Sequence, residues 1–170
     1  MLPKETRGDA VNALIRLNYG DERSLRGTGR FASLMTAMLM RGTQKHSRQQ
    51  IEDELARLQS QINVGGGPAL MAVNIQSTRA NLAATLELAI EIVREPAFPE
   101  SELATLKAAL LTNLESSRSE PQAIVGRAYG RHWARNYARD DVRYQGTIDE
   151  DIEFAKGATV ANLRALHSGF

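Results

Sequence analysis

The chain has 170 residues, of which 42% are hydrophobic and 24% charged, a usage typical of globular domains rather than disordered proteins. The net charge of +1 gives no reason to expect a nucleic acid or a membrane surface as partner. No apolar run approaches the roughly 18 residues of a membrane-spanning helix, and the absence of cysteine excludes disulfides and thiol catalysis. We therefore expect one domain with a substantial core.

The first two predicted elements are a strand and a helix. Apolar and polar side chains alternate over residues 9–19, which is typical of a half-buried strand. The apolar face of this strand consists of Val11, Ala13, Ile15, Leu17 and Tyr19. A turn region rich in glycine and charge covers residues 20–29, and apolar residues then recur at helical spacing over residues 30–40, which predicts a helix.

A second helix is expected to begin after Ser47, because Gln50 follows three residues later as in a capping box. Its apolar stripe consists of Ile51, Leu55, Leu58 and Ile62, so the helix is predicted to continue to Val64. The run from Gly65 to Pro68 would end it as a loop. A second alternating strand follows over residues 71–76, with Met71, Val73 and Ile75 predicted inward and Asn74 and Gln76 outward.

The remaining predicted elements are helices, over residues 82–93, 101–118 and 121–133, near 149–156, and from Thr159 as N-cap. This order predicts an α+β fold, an antiparallel or mixed sheet covered by helices on one face. Tyr129, Trp133 and Tyr137 lie at helical spacing and are predicted to be core residues.

No single polar feature forms a recognisable site by itself. The three histidines, His46, His132 and His167, show no metal-like spacing to one another or to an acidic partner. The three glycines at 65–67 follow a helix and lack the Lys-Ser/Thr of a phosphate-binding loop. The acidic residues at 149–151 lack the alternating oxygen spacing of a calcium loop and fit the start of a helix better.

The segment from residue 31 to 64 carries a near-motif. It reads Phe31-Ala32-Ser33-Leu34-Met35-Thr36-Ala37-Met38-Leu39-Met40, continues through Gly42-Thr43, and closes on Gln61-Ile62-Asn63-Val64. This segment resembles the signature of the pitrilysin/insulinase family of zinc peptidases, the inverzincins. Active members carry His-x-x-Glu-His on the first helix, then a hydrophobic patch and Gly-Thr, and a second helix that closes on Asn-Ala. The spacing from Gly42-Thr43 to Asn63 fits without a gap.

In this resemblance the two zinc-binding histidines fall on Ser33 and Ala37, and the catalytic glutamate falls on Thr36. A catalytic zinc needs three protein ligands, a bound water and a nearby carboxylate. A serine hydroxyl is a poor neutral ligand, alanine is none, and threonine is no general base near neutral pH. Glu115 lies where the third ligand could persist as a relic, but one carboxylate does not hold a catalytic zinc. We therefore expect no catalytic residue and no bound metal. Considered without the family, Ser33, Thr36 and Ala37 are small core-facing residues.

Later segments extend the resemblance over nearly all 170 residues. They are Glu95-Pro96-Ala97-Phe98, Arg118-Ser119-Glu120-Pro121, Thr147-Ile148-Asp149 and Thr159-Val160-Ala161-Asn162-Leu163. The resemblance implies the metallohydrolase fold of the pitrilysin and mitochondrial processing peptidase type. It makes residues 1–170 a single, truncated and inactive peptidase-like domain, with a strand leading into Leu2-Pro3-Lys4. The parent would be one of the large bacterial multi-domain forms, and the expected compartment is the periplasm.

The family pairs homologous domains into a clam-shell chamber, one half with zinc and the other a degenerate copy. The resemblance therefore implies a non-catalytic domain of a zinc metalloendopeptidase, which encloses a peptide substrate with a zinc-bearing sister domain in the same or another chain. Asn63 would contact the peptide, although a helix C-terminal cap or turn role is the simpler interpretation. The alternative function is a structural or assembly protein with the same fold. An intact His-x-x-Glu-His elsewhere in the parent would favour the first.

Overall fold

The structure is a computed structural model that describes residues 9–169, so the strand expected before Leu2-Pro3-Lys4 lies outside the described residues. Within this range there are three strands, β1 (Ala10–Asn18), β2 (Gln61–Gly67) and β3 (Leu70–Thr78). The α-helices are α1 (Ala32–Leu39), α2 (Arg48–Arg57), α3 (Leu82–Arg94), α4 (Glu100–Ser116), α5 (Pro121–Ala134), α6 (Ile148–Gly157) and α7 (Val160–His167). The predicted α+β class is confirmed.

The sheet is antiparallel, with β3 between β1 and β2. One face is buried under helices, where Met71, Val73 and Ile75 of β3 are at most 1% exposed. The other face is open, and it carries Asn74 of β3 together with its partners across the two ladders, Leu14 of β1 and Asn63 of β2. The strict alternation of β3 therefore decides which face the helices cover.

Helix α1 lies at the centre of the core. Met35, Met38 and Leu39 are completely buried, and the helix contacts β2 and α7. Full burial of side chains of this size contributes about 1.5–3 kcal/mol each. These contacts hold α1 between the sheet and α7.

Helix α2 ends earlier than predicted. Its last residues form a Schellman motif, in which the Gln59 N–H donates to the Ala56 carbonyl at 3.0 Å and the Ser60 N–H donates to the Leu55 carbonyl at 2.9 Å. Gln59 has φ of 48°, the left-handed conformation that reverses the chain. Residues 61–67 then form β2, so the prediction of a helix continuing to Val64 and of a glycine loop after it was wrong.

The helix boundaries after β3 follow the sequence closely, and three helix starts have complete capping boxes. Ser47 with Gln50, Thr147 with Glu150, and Thr159 with Asn162 exchange side-chain and backbone hydrogen bonds at the starts of α2, α6 and α7. At α6, the backbone N–H of Thr147 is the largest influence that lowers the pKa of Glu150 to about 2, with help from the Tyr144 hydroxyl at 2.9 Å. These caps fix where each helix begins.

The aromatic residues of α5 do not belong to the core. Tyr129 and Trp133 are 67% and 66% exposed, and Tyr137 just beyond the helix is 37% exposed. Of the residues of α5, Ala134 alone is buried. The prediction that these rings are core residues was therefore wrong, and α5 shows an apolar surface to solvent.

No helix within residues 9–169 combines the length and apolar character that crossing a bilayer requires.

Candidate functional site

The first part of the candidate site is the exposed side of α1. Ser33 and Ala37 lie one turn apart, so they share a side of the helix, and both are exposed. Thr36 is 2% exposed, and its hydroxyl donates to the carbonyl of Ser33 at 3.0 Å. The expectation of three core-facing residues therefore holds for Thr36 alone. Side chains at positions 33 and 37 therefore project from the same exposed side of α1, where two longer side chains could reach a common ligand.

The donor set on this helix does not fit zinc. Ser33 offers a neutral hydroxyl, Ala37 offers no donor, and the hydroxyl proton of Thr36 is committed to a backbone carbonyl. Among residues 9–169, no group of three or more His, Cys, Asp or Glu side chains is placed to hold a metal ion. Zinc would need at least three such ligands, so no chemical step can be derived through this position.

Glu115 lies near the end of α4 and is engaged by an arginine. Arg118 Nε lies 2.5 Å from a carboxylate oxygen of Glu115, and Arg118 Nη2 lies 2.6 Å from one of Asp149 at the start of α6. The hydrogen bond that Arg118 donates to Glu115, followed by the one it donates to Asp149, raises the pKa of Arg118. This bridge ties α4 to α6. The interpretation of Glu115 as the relic of a zinc ligand stays a prediction.

The second part of the candidate site is the strand β2, which forms one edge of the sheet. Within the described residues it pairs with β3 alone, which leaves its outer backbone groups without a strand partner. Gln61, Asn63, Gly65 and Gly66 are exposed along it. Exposed edge strands are templates for pairing with another extended chain. The glycines add no side chain that would block such an approach.

Asn63 lies inside β2, directly opposite Asn74 of β3. The interpretation of Asn63 as a helix cap or turn residue is therefore wrong. Its side chain projects from the open face of the sheet, whereas α1 packs on the strand that carries it. The contact between α1 and β2 makes the strand that carries Asn63 a neighbour of the helix that carries Ser33, Thr36 and Ala37, with the Asn63 side chain on the other face of the sheet.

The Gly-Thr pair after α1 has a structural role. Thr43 is 6% exposed, and its hydroxyl accepts the His46 N–H at 2.8 Å and donates to a carboxylate oxygen of Glu91 on α3. His46 Nδ1 lies 2.7 Å from the same oxygen. Burial would raise the pKa of Glu91, but hydrogen bonds from Thr43 and His46 outweigh it, and the net pKa is lowered. The cluster clamps the connection between α1 and α2 onto α3.

The sequence could not reveal this acidic partner of His46, because the two residues are 45 positions apart. Glu91 appears in the sequence only as one polar residue of a helix. With one imidazole and one carboxylate, the pair is not a metal site by itself. His132 and His167 lie elsewhere, with His132 beside Arg135 and His167 against the carbonyl of Val93.

Comparisons with known proteins agree with this geometry. The model of a protein family described as insulinase, peptidase family M16, matches residues 20–139. No curated protein sequence matches the chain. The crystal structure of a peptidase M16 inactive domain from Pseudomonas fluorescens superimposes with a TM-score of 0.77 at 22% identity, over 94% of this chain and 38% of that one.

Two proteases share the same fold at lower identity. A protease from Helicobacter pylori has a TM-score of 0.72 at 13% identity, over 94% of this chain and 38% of its own. The periplasmic protease PqqL from Escherichia coli has a TM-score of 0.69 at 13% identity, over 95% of this chain and 17% of its own. The chain thus spans less than half the length of these proteins. It belongs to the insulinase family, peptidase family M16, as a degenerate member whose sequence lacks the His-x-x-Glu-His signature.

Proposed function

We propose that this chain is a non-catalytic domain of a zinc metalloendopeptidase that helps to enclose a peptide substrate. The observation that carries the proposal is the combination of a signature helix without zinc ligands and an open edge strand packed against it. Hydrolysis would be carried out by a zinc-bearing sister domain, in the same or another chain. The greater length of the solved proteins that share this fold leaves room for such a domain.

The peptide would bind as an additional strand along β2. An edge strand offers alternating N–H and C=O groups, so the ladder forms with almost any sequence and the side chains add selectivity. Asn63 offers a side-chain amide with donors and an acceptor beside that edge. Such a mode suits a chamber that must hold many unfolded peptides.

The periplasm is our proposed compartment, and its support is the periplasmic protease PqqL with the same fold.

Peptide N-methylation tests the strand-addition mode directly. The probe is a fluorescein-labelled heptapeptide of alternating valine and threonine, and its fluorescence anisotropy is titrated with the protein. In a β-ladder every second peptide N–H points at the partner strand. N-methylation of the odd-numbered or of the even-numbered peptide residues, whichever set faces β2, should abolish binding, while methylation of the other set should leave binding nearly unchanged. Equal effects of methylating the two alternating sets of residues would contradict strand addition.

The Asn63→Ala variant tests the side chain. Loss of one net hydrogen bond costs about 0.5–1.5 kcal/mol, which weakens peptide binding by roughly 2–12-fold. The matched control is Asn12→Ala, an exposed asparagine on β1 at the opposite edge of the sheet. Equal affinities of the two variants would remove Asn63 from the site. Complete absence of peptide binding would favour a structural or assembly role.

A further inference from the structure

The outward side of α5 carries an apolar stripe that nothing within the described residues covers. Val125, Tyr129 and Trp133 follow each other at four-residue spacing, so they lie along one side of the helix, and each is at least 66% exposed. The rings of Tyr129 and Trp133 are in edge-to-face contact, with centroids 6.1 Å apart. We call these three residues the α5 stripe. Aromatic side chains that stay this exposed are typical of interaction surfaces.

The surroundings of the α5 stripe are basic. Between Pro121 and Arg139 the sequence has four arginines and no acidic residue. Arg127 and Arg139 are ion-paired with Asp151 and Glu150. Arg131 is exposed and makes no ion pair within residues 9–169. A partner for this surface should therefore be apolar and rimmed by carboxylates, since opposite charges select and orient partners.

The same chain carries an acidic cleft that contains one large exposed apolar side chain. A cleft of about 530 Å³ between α2 and α3 contains the exposed side chain of Ile90, which is 51% accessible. Four carboxylates and two cations line it, which gives a formal net charge of −2 without counting His46; these residues are Glu54, Glu87, Glu91, Glu95, Lys45 and Arg57. Lys45 is paired with Glu95 and Arg57 with Glu54. Glu87 is exposed and forms no ion pair with another described residue.

We propose that the α5 stripe of one copy docks into the α2–α3 cleft of a second copy of this chain. Basic flanks would then meet the acidic rim, and the aromatic rings would meet Ile90. This surface is separate from the β2 edge, so the inference goes beyond the proposed function. Each copy would present one stripe and one cleft, a heterologous arrangement that continues from copy to copy unless it closes into a ring.

The contact is small. An aromatic side chain buries about 150–250 Å² when fully covered, whereas a standard interface buries about 800 Å² per partner. The association should therefore be weak and reversible, with a dissociation constant on the order of 10 µM or above. It should weaken further at high salt, because charge complementarity contributes to it.

Sedimentation equilibrium over a concentration series tests the proposal. The average mass of the wild type should rise with concentration beyond that of a dimer, and fall again in high salt. Trp133→Ala removes the stripe and Ile90→Arg blocks the cleft, and each should weaken association by roughly tenfold or more. Leu14→Ala, which changes a 54% exposed apolar residue on β1, should leave it unchanged. Circular dichroism verifies that all variants are folded.

Mixing the two blocked variants gives the sharpest readout. Trp133→Ala retains its cleft and Ile90→Arg retains its stripe, so an equimolar mixture should form a 1:1 dimer and stop there. A wild type that stays monomeric, association that survives either substitution, or a mixture that stays monomeric would overturn the proposal. So would Trp133-dependent binding of a monomeric chain to phosphatidylserine vesicles, which would assign the stripe to a lipid surface.

Discussion

Gly66 is the position on the β2 edge where the structure leaves least room for a side chain. A Cβ added there would lie 2.3 Å from the carbonyl oxygen of Leu70 and 3.0 Å from the Cα of Met71. Both contacts are with the backbone of β3, which cannot rotate away as a side chain could. Gly65, its neighbour on the same strand, has no atom within 4 Å of the corresponding position. Gly66→Ala should therefore force β2 away from β3.

The expected loss is of the order of 2 kcal/mol. Overpacking costs typically 1–3 kcal/mol, and a rigid backbone contact belongs at the upper end. Replacing glycine also restricts the unfolded chain, which stabilises the folded state by about 0.4–1 kcal/mol. For a domain of this size each kcal/mol shifts Tm by about 2–4 °C, so Gly66→Ala should melt roughly 4–8 °C below the wild type. Gly65→Ala meets no steric clash and only restricts the unfolded chain, so its Tm should equal or slightly exceed that of the wild type.

Thermal and urea unfolding followed by circular dichroism measure both variants. The urea midpoint should fall for Gly66→Ala with little change in the slope, because the exposed surface of the unfolded state is unchanged. If Gly66→Ala and Gly65→Ala unfolded together, the β2–β3 register described above would be wrong. The β2 edge would then also be the wrong strand for a peptide.

Two further outcomes follow from buried and capping groups. Thr85 is 0% exposed, and its hydroxyl lies 2.9 Å from that of Ser60 and 3.1 Å from that of Ser77. Thr85→Val should therefore lower the free energy of unfolding in urea by about 1–3 kcal/mol. The exposed Thr105→Val is the control, and an equal loss in the two variants would refute this prediction. The capping contacts lower the pKa of Glu150 from its ordinary value of 4.5 to about 2, so its stabilising contribution is complete above pH 4.5 and is lost as the pH falls toward 2. Glu150→Gln should flatten the pH dependence of the urea unfolding free energy in that window, and an unchanged slope would contradict the capping role.

Strands β1 and β3 could be predicted from the sequence because side-chain burial alternates with period two along β3 and over residues 10–16 of β1, although Leu17 of the predicted apolar face is 38% exposed. In β3 the apolar residues Met71, Val73 and Ile75 are all buried, and the residues between them face solvent or are half-buried. The starts of α2, α6 and α7 could be predicted because their capping residues act over three positions of sequence. Local pattern is sufficient wherever the stabilising contacts are themselves local.

Strand β2 could not be predicted in this way. Ile62 continues the helical stripe of α2 by spacing, and glycine-rich segments are depleted in strands. The residue that ends the helix, Gln59, adopts a left-handed conformation that glycine or asparagine usually supplies. The ladder that makes 61–67 a strand comes from β3, so the deciding contacts are between segments.

The candidate site shows the same limit. Helical spacing places Ser33 and Ala37 on one side of α1, but it cannot say whether that side meets the core or solvent. The same holds for Tyr129 and Trp133 on α5, which spacing alone suggested were buried. Which side is covered depends on neighbouring elements, and those are set by the tertiary fold.

Zinc content is the measurement that tests most directly whether this is a degenerate domain. The purified chain is dialysed against trace zinc and then analysed by inductively coupled plasma mass spectrometry. We expect no retained zinc in the wild type. We expect retention in Ser33→His/Ala37→His, which places two imidazoles four residues apart on an exposed helix side, and weaker retention when Glu115→Gln is added. One tightly held zinc per wild-type chain would contradict the assignment of a signature helix without its ligands.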